Sequence, residues 1–497
     1  MALASMKQSQ RIVKNAVFGV AASVVGGVVY FFTITTIAHS VSVVDFGEYS
    51  FVLAFAMFFQ LVADAGLPRM IIREVAKNRE EFAPLVGAAA ALIWIVSGAV
   101  CLVVAVIVPF LHFSWEVKVS ALLMSVATLA TFHAAGYSAV LRAFEDNELN
   151  HLGFVLHKLV LLGFVIVVIK LHLGLLGFVG CHLIANVLLW NFYHFIVARF
   201  YAPVPLRIDV PLWKSLIVSA LPMGGGVMLR QLALQLDILV LTWMTNLTTV
   251  GLFSGPYRIS MALRVIPQTL SLPLYPVYSR TAHLSPERFA EAYRWSVKFF
   301  LLLSIPFAAF FMAWSGAILR LALGEKYMAA LPAMQWLGLG LVPFFLSTLF
   351  QYVFAALDQQ KLFLVNTCVG STLRLVLLVG LIPRYGFVGP SIAFVCAETL
   401  VVTLWIMQLG RLGFPAHFFS IAWRPLIAGA AMGWLLYATR NVGLPVAILV
   451  AALSLLVYGG LLFVLKTFSA EELQHAREGV NFISPFISAW SKKIKRT

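Results

Sequence analysis

Charge is scarce in this chain: Asp, Glu, Lys and Arg make up 11% of 497 residues, against 61% apolar, and the mean hydropathy is +0.95. Soluble domains carry roughly 25% charged residues, so this composition excludes one. Cysteine is nearly absent, and Cys101, Cys181, Cys368 and Cys396 all fall inside long apolar runs, where they act as small apolar residues rather than a disulfide framework or a zinc site. Also missing are the Gly-x-x-x-x-Gly-Lys-[Ser/Thr] phosphate loop, the His-Glu-x-x-His zinc helix and the Gly-x-Ser-x-Gly nucleophile turn. The eleven histidines show no metal spacing. These absences leave no expected catalytic residue, cofactor, metal or ATP-hydrolysing domain. Work has to come from an ion gradient, the membrane potential or the substrate's own gradient.

Long apolar runs are what the chain does have. Crossing about 30 Å of hydrocarbon takes about 20 helical residues. Windows of that length recur at 14–39, 46–66, 83–111, 116–141, 153–171, 174–198, 213–243, 249–279, 291–314, 330–356, 362–382, 387–409, 420–438 and 444–465, about fourteen spans. The runs are continuous rather than short and alternating, so helices and not a barrel must satisfy the backbone, and the fold class is an all-α polytopic membrane protein. The first span follows Lys7, Arg11 and Lys14 and is too long for a removable signal peptide. An even span count puts both termini on one side. Lys and Arg concentrate in the loops of that side, which is therefore expected to be cytoplasmic. Topology and anionic lipid account for most of the net charge of +15, with no need of nucleic acid.

The chain also repeats itself. "DFGEYS" (45–50) after the first span pairs with "TVGLFS" (249–254) after the seventh, "RAFEDNELN" (142–150) with "AALDQQKLF" (355–363), and "LGLLGFVG" (173–180) with "YGFVGPSI" (385–392). The offsets are nearly constant, roughly 204 to 213 residues, as expected of a duplicated six-helix unit whose pseudo-two-fold axis runs along the membrane normal. The expected organisation is an N-lobe at 1–198, a proline-bearing linker at 199–212, a C-lobe at 213–410, two further spans within 411–466, and an amphipathic, basic tail at 467–497 lying on the membrane surface.

Ionisable residues inside spans are the functional candidates, because charge at membrane depth is costly and needs a partner or water. Gly226, Arg230 and Asp237 form one stripe of span seven, widened by Gln231 and Gln235. Span eight carries Ser254, Tyr257, Met261, Arg264, Gln268 and Ser271 at helical spacing, with Arg258 toward the flank, and Pro256, Pro267, Pro273 and Pro276 should bend it. Milder stripes run through span one (Ser23, Gly26, Tyr30, Thr33) and span two (Ser50, Met57, Gln60, Asp64). The expected site is a hydrated cavity walled by spans one, two, seven and eight, with its basic wall in the second lobe. Substrate contacts fall to Arg230, Arg258, Arg264, Gln268, Tyr257, Gln231, Gln235 and Tyr30. Asp237 and Asp64 are the candidates for coupling an ion. Arg374 and Glu398, at similar depth on antiparallel helices, read as a packing ion pair.

With those residues in view, the whole chain resembles the multidrug/oligosaccharidyl-lipid/polysaccharide exporter superfamily, specifically the Wzx-type flippases of its polysaccharide biosynthesis branch. The resemblance rests on "DFGEYSFVLAF", "ADAGLPRMIIRE" (63–74), "LDILVL", "VGLFSGPYRI" and "IPRYGFVGPSIA" (382–393) in their order. It implies two six-helix lobes forming a V, plus two C-terminal helices, and alternating access. It further implies a polyprenyl-diphosphate-linked oligosaccharide substrate whose tail stays in the lipid of a bacterial inner membrane, with glycosyltransferases and a polymerase as partners. Arg suits such a substrate, because its guanidinium offers charge-assisted bidentate bonds to phosphate oxygens. The rival readings are a cation-coupled small-molecule or drug exporter of the same superfamily and a membrane scaffold of a polysaccharide synthase. Drug-extruding members place an acid in the first lobe's cavity, whereas span one here has none and Asp64 lies near the cytoplasmic end of span two.

Overall fold

Apolar segments in hydrocarbon must satisfy every backbone N–H and C=O internally, and helix does so within a single segment. A computed structural model describes residues 8–64, 66–440 and 444–469, and the tail expected to lie on the membrane is, from residue 470 onward, outside the described residues. Among the described residues there is no strand. The helices are α1 Gln8–Ser40, α2 Val43–Asp64, α3 Leu67–Lys77, α4 Phe82–Ile107, α5 Trp115–Ala143, α6 Asn147–Lys170, α7 Gly174–Phe200, α8 Val210–Met244, α9 Leu247–Ala262, α10 Val265–Ser271, α11 Tyr275–Leu284, α12 Pro286–Ala313, α13 Ser315–Ala322, α14 Leu331–Ala356, α15 Gln360–Tyr385, α16 Gly389–Arg411, α17 Phe418–Ala438 and α18 Leu444–Val464. Among the described residues, eleven helical stretches are long and apolar enough to cross a membrane, and the stretch Gln360–Arg411 contains two of these helices, α15 and α16.

The eighth apolar window is the one that breaks. α9 stops at Ala262, α10 restarts at Val265, a 3₁₀ turn spans Leu272–Leu274, and α11 follows. Proline explains the pieces, because it removes a backbone donor and clashes with the preceding turn, so Pro267, Pro273 and Pro276 each sit near the start of a new segment. Arg264 stands at the first break.

α5 packs on α2, α4 and α7, and α6 on α1 and α7, while α12 and α16 pack on α14 and α8 packs on α15; α17 lies on α12 and carries α18. Where the sequence pairs turns at a constant offset, both members have positive φ: Glu145 (φ 68°) with Asp358 (φ 56°), and Gly174 (φ 62°) with Gly386 (φ 55°). Such a residue ends a helix by letting its last carbonyls find N–H donors, and glycine does this without Cβ strain.

The extended connection between α7 and α8 is pinned to α4. Trp213 Nε1 donates to Ala88 O (2.8 Å), and a Cβ on Gly87 would lie 2.1 Å from Pro205 O.

Candidate functional site

The two halves meet through α1, α2 and α3 on one side and α8, α9 and α10 on the other. At the end of the bundle bearing the α1–α2 and α8–α9 turns, α2 and α9 touch backbone to backbone. A Cβ on Gly47 would lie 2.0 Å from Leu247 O, and a Cβ on Gly251 would lie 2.0 Å from Val43 O. These glycines belong to the paired "DFGEYS" and "TVGLFS" turns, so the crossing is reciprocal. Small residues permit such close approach of membrane helices.

The segment before α14 covers the same end. Lys326 Nζ donates to His39 O (3.0 Å) and to Val41 O, and the buried Tyr327 ring meets Phe46 edge-on, with centroids 6.1 Å apart. Lys326→Ala is expected to loosen this closure. With the native cysteines removed and Ser254, a buried residue of α9, replaced by Cys, maleimide labelling should rise about fivefold, the factor that follows from roughly 1 kcal/mol of lost hydrogen bonding. Equal labelling in both backgrounds would show that Lys326 is not part of the closure.

Below this crossing Arg258 of α9 reaches across to α1 and α2 of the first half. Its Nε donates to Ser50 Oγ and its Nη1 to Tyr30 OH, both at 3.4 Å, long for such bonds, and its guanidinium lies 5.7 Å from the centre of the Tyr49 ring. A 2.8 Å hydrogen bond between Tyr49 OH and His182 Nε2 of α7 fixes that ring. Lys158 of α6 approaches from the other side, with Nζ 4.9 Å from the centre of the Tyr30 ring and 5.6 Å from that of Phe154. Two cations, one from each half, therefore share Tyr30. Among the described residues neither has an ion-pair partner. Both are half-buried.

Further cations continue toward the opposite end. Arg264 is half-buried at the α9–α10 break, within electrostatic reach of Tyr352, which also senses Arg69 of α3. Beyond it Arg142 of α5 donates to Ser138 Oγ (3.2 Å) and neighbours Arg69 and Asp64. Cations therefore stand on both halves of the chain: the sequence placed them in the second half alone, at Arg258 and Arg264, whereas Lys158, Arg142 and Arg69 belong to helices of the first. Sequence reasoning missed Lys158 because it lies near the edge of a long apolar run and passes for a flanking charge, although seven hydrophobic residues in "GFVLHKLVLL" (153–162) frame it.

The charged stripe of α8 requires correction. Arg230 does not face the boundary between the halves. It is 8% exposed, and its Nη2 donates to Ser347 Oγ (2.5 Å) and to Glu398 Oε2 (3.3 Å), while Nη1 donates to Ser347 O (3.3 Å). Asp237, fully buried, accepts from Arg374 Nε (2.7 Å) and again from Arg374 Nη2. The pair expected between Arg374 and Glu398 is replaced by two others, Arg374 with Asp237 and Arg230 with Glu398. The reason is azimuth. Gly226 on the same stripe abuts Phe363 of α15, so the whole face of α8 turns into its own lobe and each charge meets the helix at its own height. The adjoining cavity, lined by both arginines, Glu398 and Thr367, is about 30 Å³, which is space for a water and not for a phosphate.

The remaining candidates divide. Tyr257 is buried and stacked on Phe253 at 5.0 Å, and its OH donates to Leu234 O (3.0 Å), which holds α9 to α8. Asp64 accepts from the Gly66 N–H (3.1 Å) and so closes the α2–α3 turn. Gln231 and Gln235 are half-buried on α8, and Gln268 is exposed on α10. Among the described residues no group of three or more His, Cys, Asp or Glu could hold a metal ion.

Comparison with known proteins bears on this arrangement. The profile of the family described as "Polysaccharide biosynthesis protein" matches residues 12–282, more than half of the chain. No curated protein sequence matches. Among solved structures, the fold is that of the lipid II flippase MurJ in an inward closed conformation, with a TM-score of 0.73, 14% identity, and coverage of 91% of this chain and 99% of that one. An inward-facing multidrug resistance MATE family transporter of the MOP superfamily follows at 0.62, 17% identity and coverage of 82% and 95%. A MOP superfamily transporter from Pyrococcus furiosus, described by the reverse polarity of its binding pocket, gives 0.58, 16% identity and coverage of 81% and 95%.

Proposed function

The chain belongs to the polysaccharide biosynthesis protein family, and on that footing we propose that it is a flippase carrying a polyprenyl-diphosphate-linked oligosaccharide, a repeat unit of O-antigen, capsule or exopolysaccharide, across a bacterial inner membrane by alternating access. The observation that carries this reading is the pair Arg258 and Lys158, cations from opposite halves that meet at Tyr30, neither of them paired with an acid among the described residues. Holding one such charge at membrane depth costs about 2.5–3.5 kcal/mol. A diphosphate supplies the missing anion, with Arg258 offering paired donors and Lys158 a point charge. Arg264, Arg69 and Arg142 lead the headgroup in from the cytoplasmic end, where both termini lie, and the α2–α9 crossing bars the other end until the lobes rock. Gln231, Gln235 and Gln268 are placed for sugar hydroxyls. Glycosyltransferases act before the flippase and a polymerase after it.

Asp237 and Asp64 are withdrawn from ion coupling, the first by Arg374 and the second by the Gly66 N–H. Driving force then comes from the headgroup itself. An anion leaving the cytoplasm moves with an inside-negative potential, worth about 2.3 kcal/mol per charge per 100 mV.

Arg258→Gln, checked for normal membrane insertion, is expected to cut surface glycan about 10- to 100-fold, the factor set by losing a charge-assisted bond of about 1.5–3 kcal/mol. Arg258→Lys should retain part of the activity. Full surface glycan in Arg258→Gln cells, together with new drug sensitivity, would transfer the assignment to a small-molecule exporter.

A further inference from the structure

We propose that the chain carries a second lipid site, for the headgroup of an anionic glycerophospholipid, in the cleft between α11, α12 and α17 and away from the lobe boundary. The cleft has a volume of about 780 Å³, within the range of ligand pockets, and among the described residues its lining sets Arg288, Arg294 and Lys298 against a single acid, Glu291. Among the described residues neither Arg288 nor Arg294 has an ion-pair partner.

The placement fits a lipid rather than a soluble anion. Arg288 stands two residues into α12, at the end of the helix that faces the cytoplasm in the proposed topology, and Arg288, Glu291, Trp295 and Lys298 recur at three- and four-residue spacing along one stripe. Helical side chains lean toward the helix N-terminus, so Lys298, ten residues further into the membrane, reaches back toward headgroup depth. Its Nζ lies 5.4 Å from the centre of the Phe468 ring. Trp295, 48% exposed, stacks on Phe299 at 5.4 Å with 4° between the rings, and so forms the flat apolar wall typical of the interfacial belt. The polar wall is already satisfied: Tyr278 OH donates to Ser296 Oγ (2.5 Å), and Ser296 Oγ donates to Ala292 O (2.7 Å). Recognition therefore rests on Arg288 and Arg294, with Lys298 adding its positive charge to the same wall. Basic pockets between helices at the cytoplasmic surface select anionic headgroups in this way.

The test uses the full purified chain in a neutral detergent, with short-chain phosphatidylglycerol or phosphatidylcholine added and binding read by native mass spectrometry. Wild type should prefer phosphatidylglycerol by at least about tenfold. The triple variant Arg288→Gln, Arg294→Gln, Lys298→Gln should lose that preference, and a control triple variant on other loops of the same side, Lys77→Gln, Arg79→Gln, Arg207→Gln, should keep it. Equal binding of the two lipids, equal loss in both triple variants, or displacement of phosphatidylglycerol by millimolar inorganic phosphate would each overturn the site. Surface glycan plays no part in this readout, so its outcome is separate from that of the flippase reading.

Discussion

Asp237→Leu is expected to destabilise the chain by roughly 3–5 kcal/mol, the usual consequence of stranding a buried guanidinium. Arg374 is 4% exposed, its Nε and Nη2 both point at Asp237, and the adjoining cavity of about 30 Å³ has no room for a replacement anion. In detergent the variant should lose its monodisperse peak after mild heating, under conditions wild type survives. The double variant Asp237→Leu, Arg374→Met removes both charges at similar volume and should recover most of the loss, because a buried ion pair is close to break-even against a well-packed apolar pair. A double variant as unstable as the single one would show that the pair itself holds α8 to α15. Arg230→Met should likewise cost stability by stranding Glu398, which separates it from Arg258→Gln, whose effect falls on transport.

The second large effect concerns the α2–α9 crossing. Gly47→Val places a Cβ 2.0 Å from Leu247 O, whereas real Cβ contacts stay beyond 3.0 Å, so the two backbones must part. In the proposed alternating-access cycle, overpacking of about 1–3 kcal/mol shifts the balance between closed and open forms by about 5- to 150-fold. A Val43→Cys, Leu247→Cys pair bridged by a short bifunctional reagent should crosslink readily in an otherwise wild-type chain and poorly with Gly47→Val, and surface glycan should fall with it. Gly251→Val should act in the same way, because the contact is reciprocal. Undiminished crosslinking would place the closure elsewhere.

What the sequence made legible follows from which coordinates it encodes. Hydropathy specifies depth, so the apolar windows anticipate the helices closely: 213–243 becomes Val210–Met244 and 330–356 becomes Leu331–Ala356. Proline chemistry is local, so the break beside Arg264 was foreseeable. Partner choice is not local. Arg374 and Glu398 share a depth, which suggested a pair, but a partner also depends on the direction in which each helix turns its face, and Asp237 was the acid on Arg374's side. The stripe of Arg230 and Asp237 shows the same limit: a polar face must avoid lipid, yet it can do so against its own lobe as well as against a chamber. Lys158 escaped notice because a lysine near the edge of an apolar run is usually a snorkelling flank. Only the fold brings it to Tyr30, opposite Arg258.

The central claim is that Arg258 and Lys158 together hold a diphosphate, and headgroup selectivity of the purified chain tests it most directly. Affinities should be measured for a polyprenyl diphosphate, the matching monophosphate and the neutral polyprenol, in wild type and in Arg258→Gln, Lys158→Gln. Wild type should bind in that order, with the diphosphate at least about tenfold ahead of the alcohol, and the double variant should bind all three alike. Equal affinity of wild type for the three lipids, or an unchanged order in the double variant, would contradict the account.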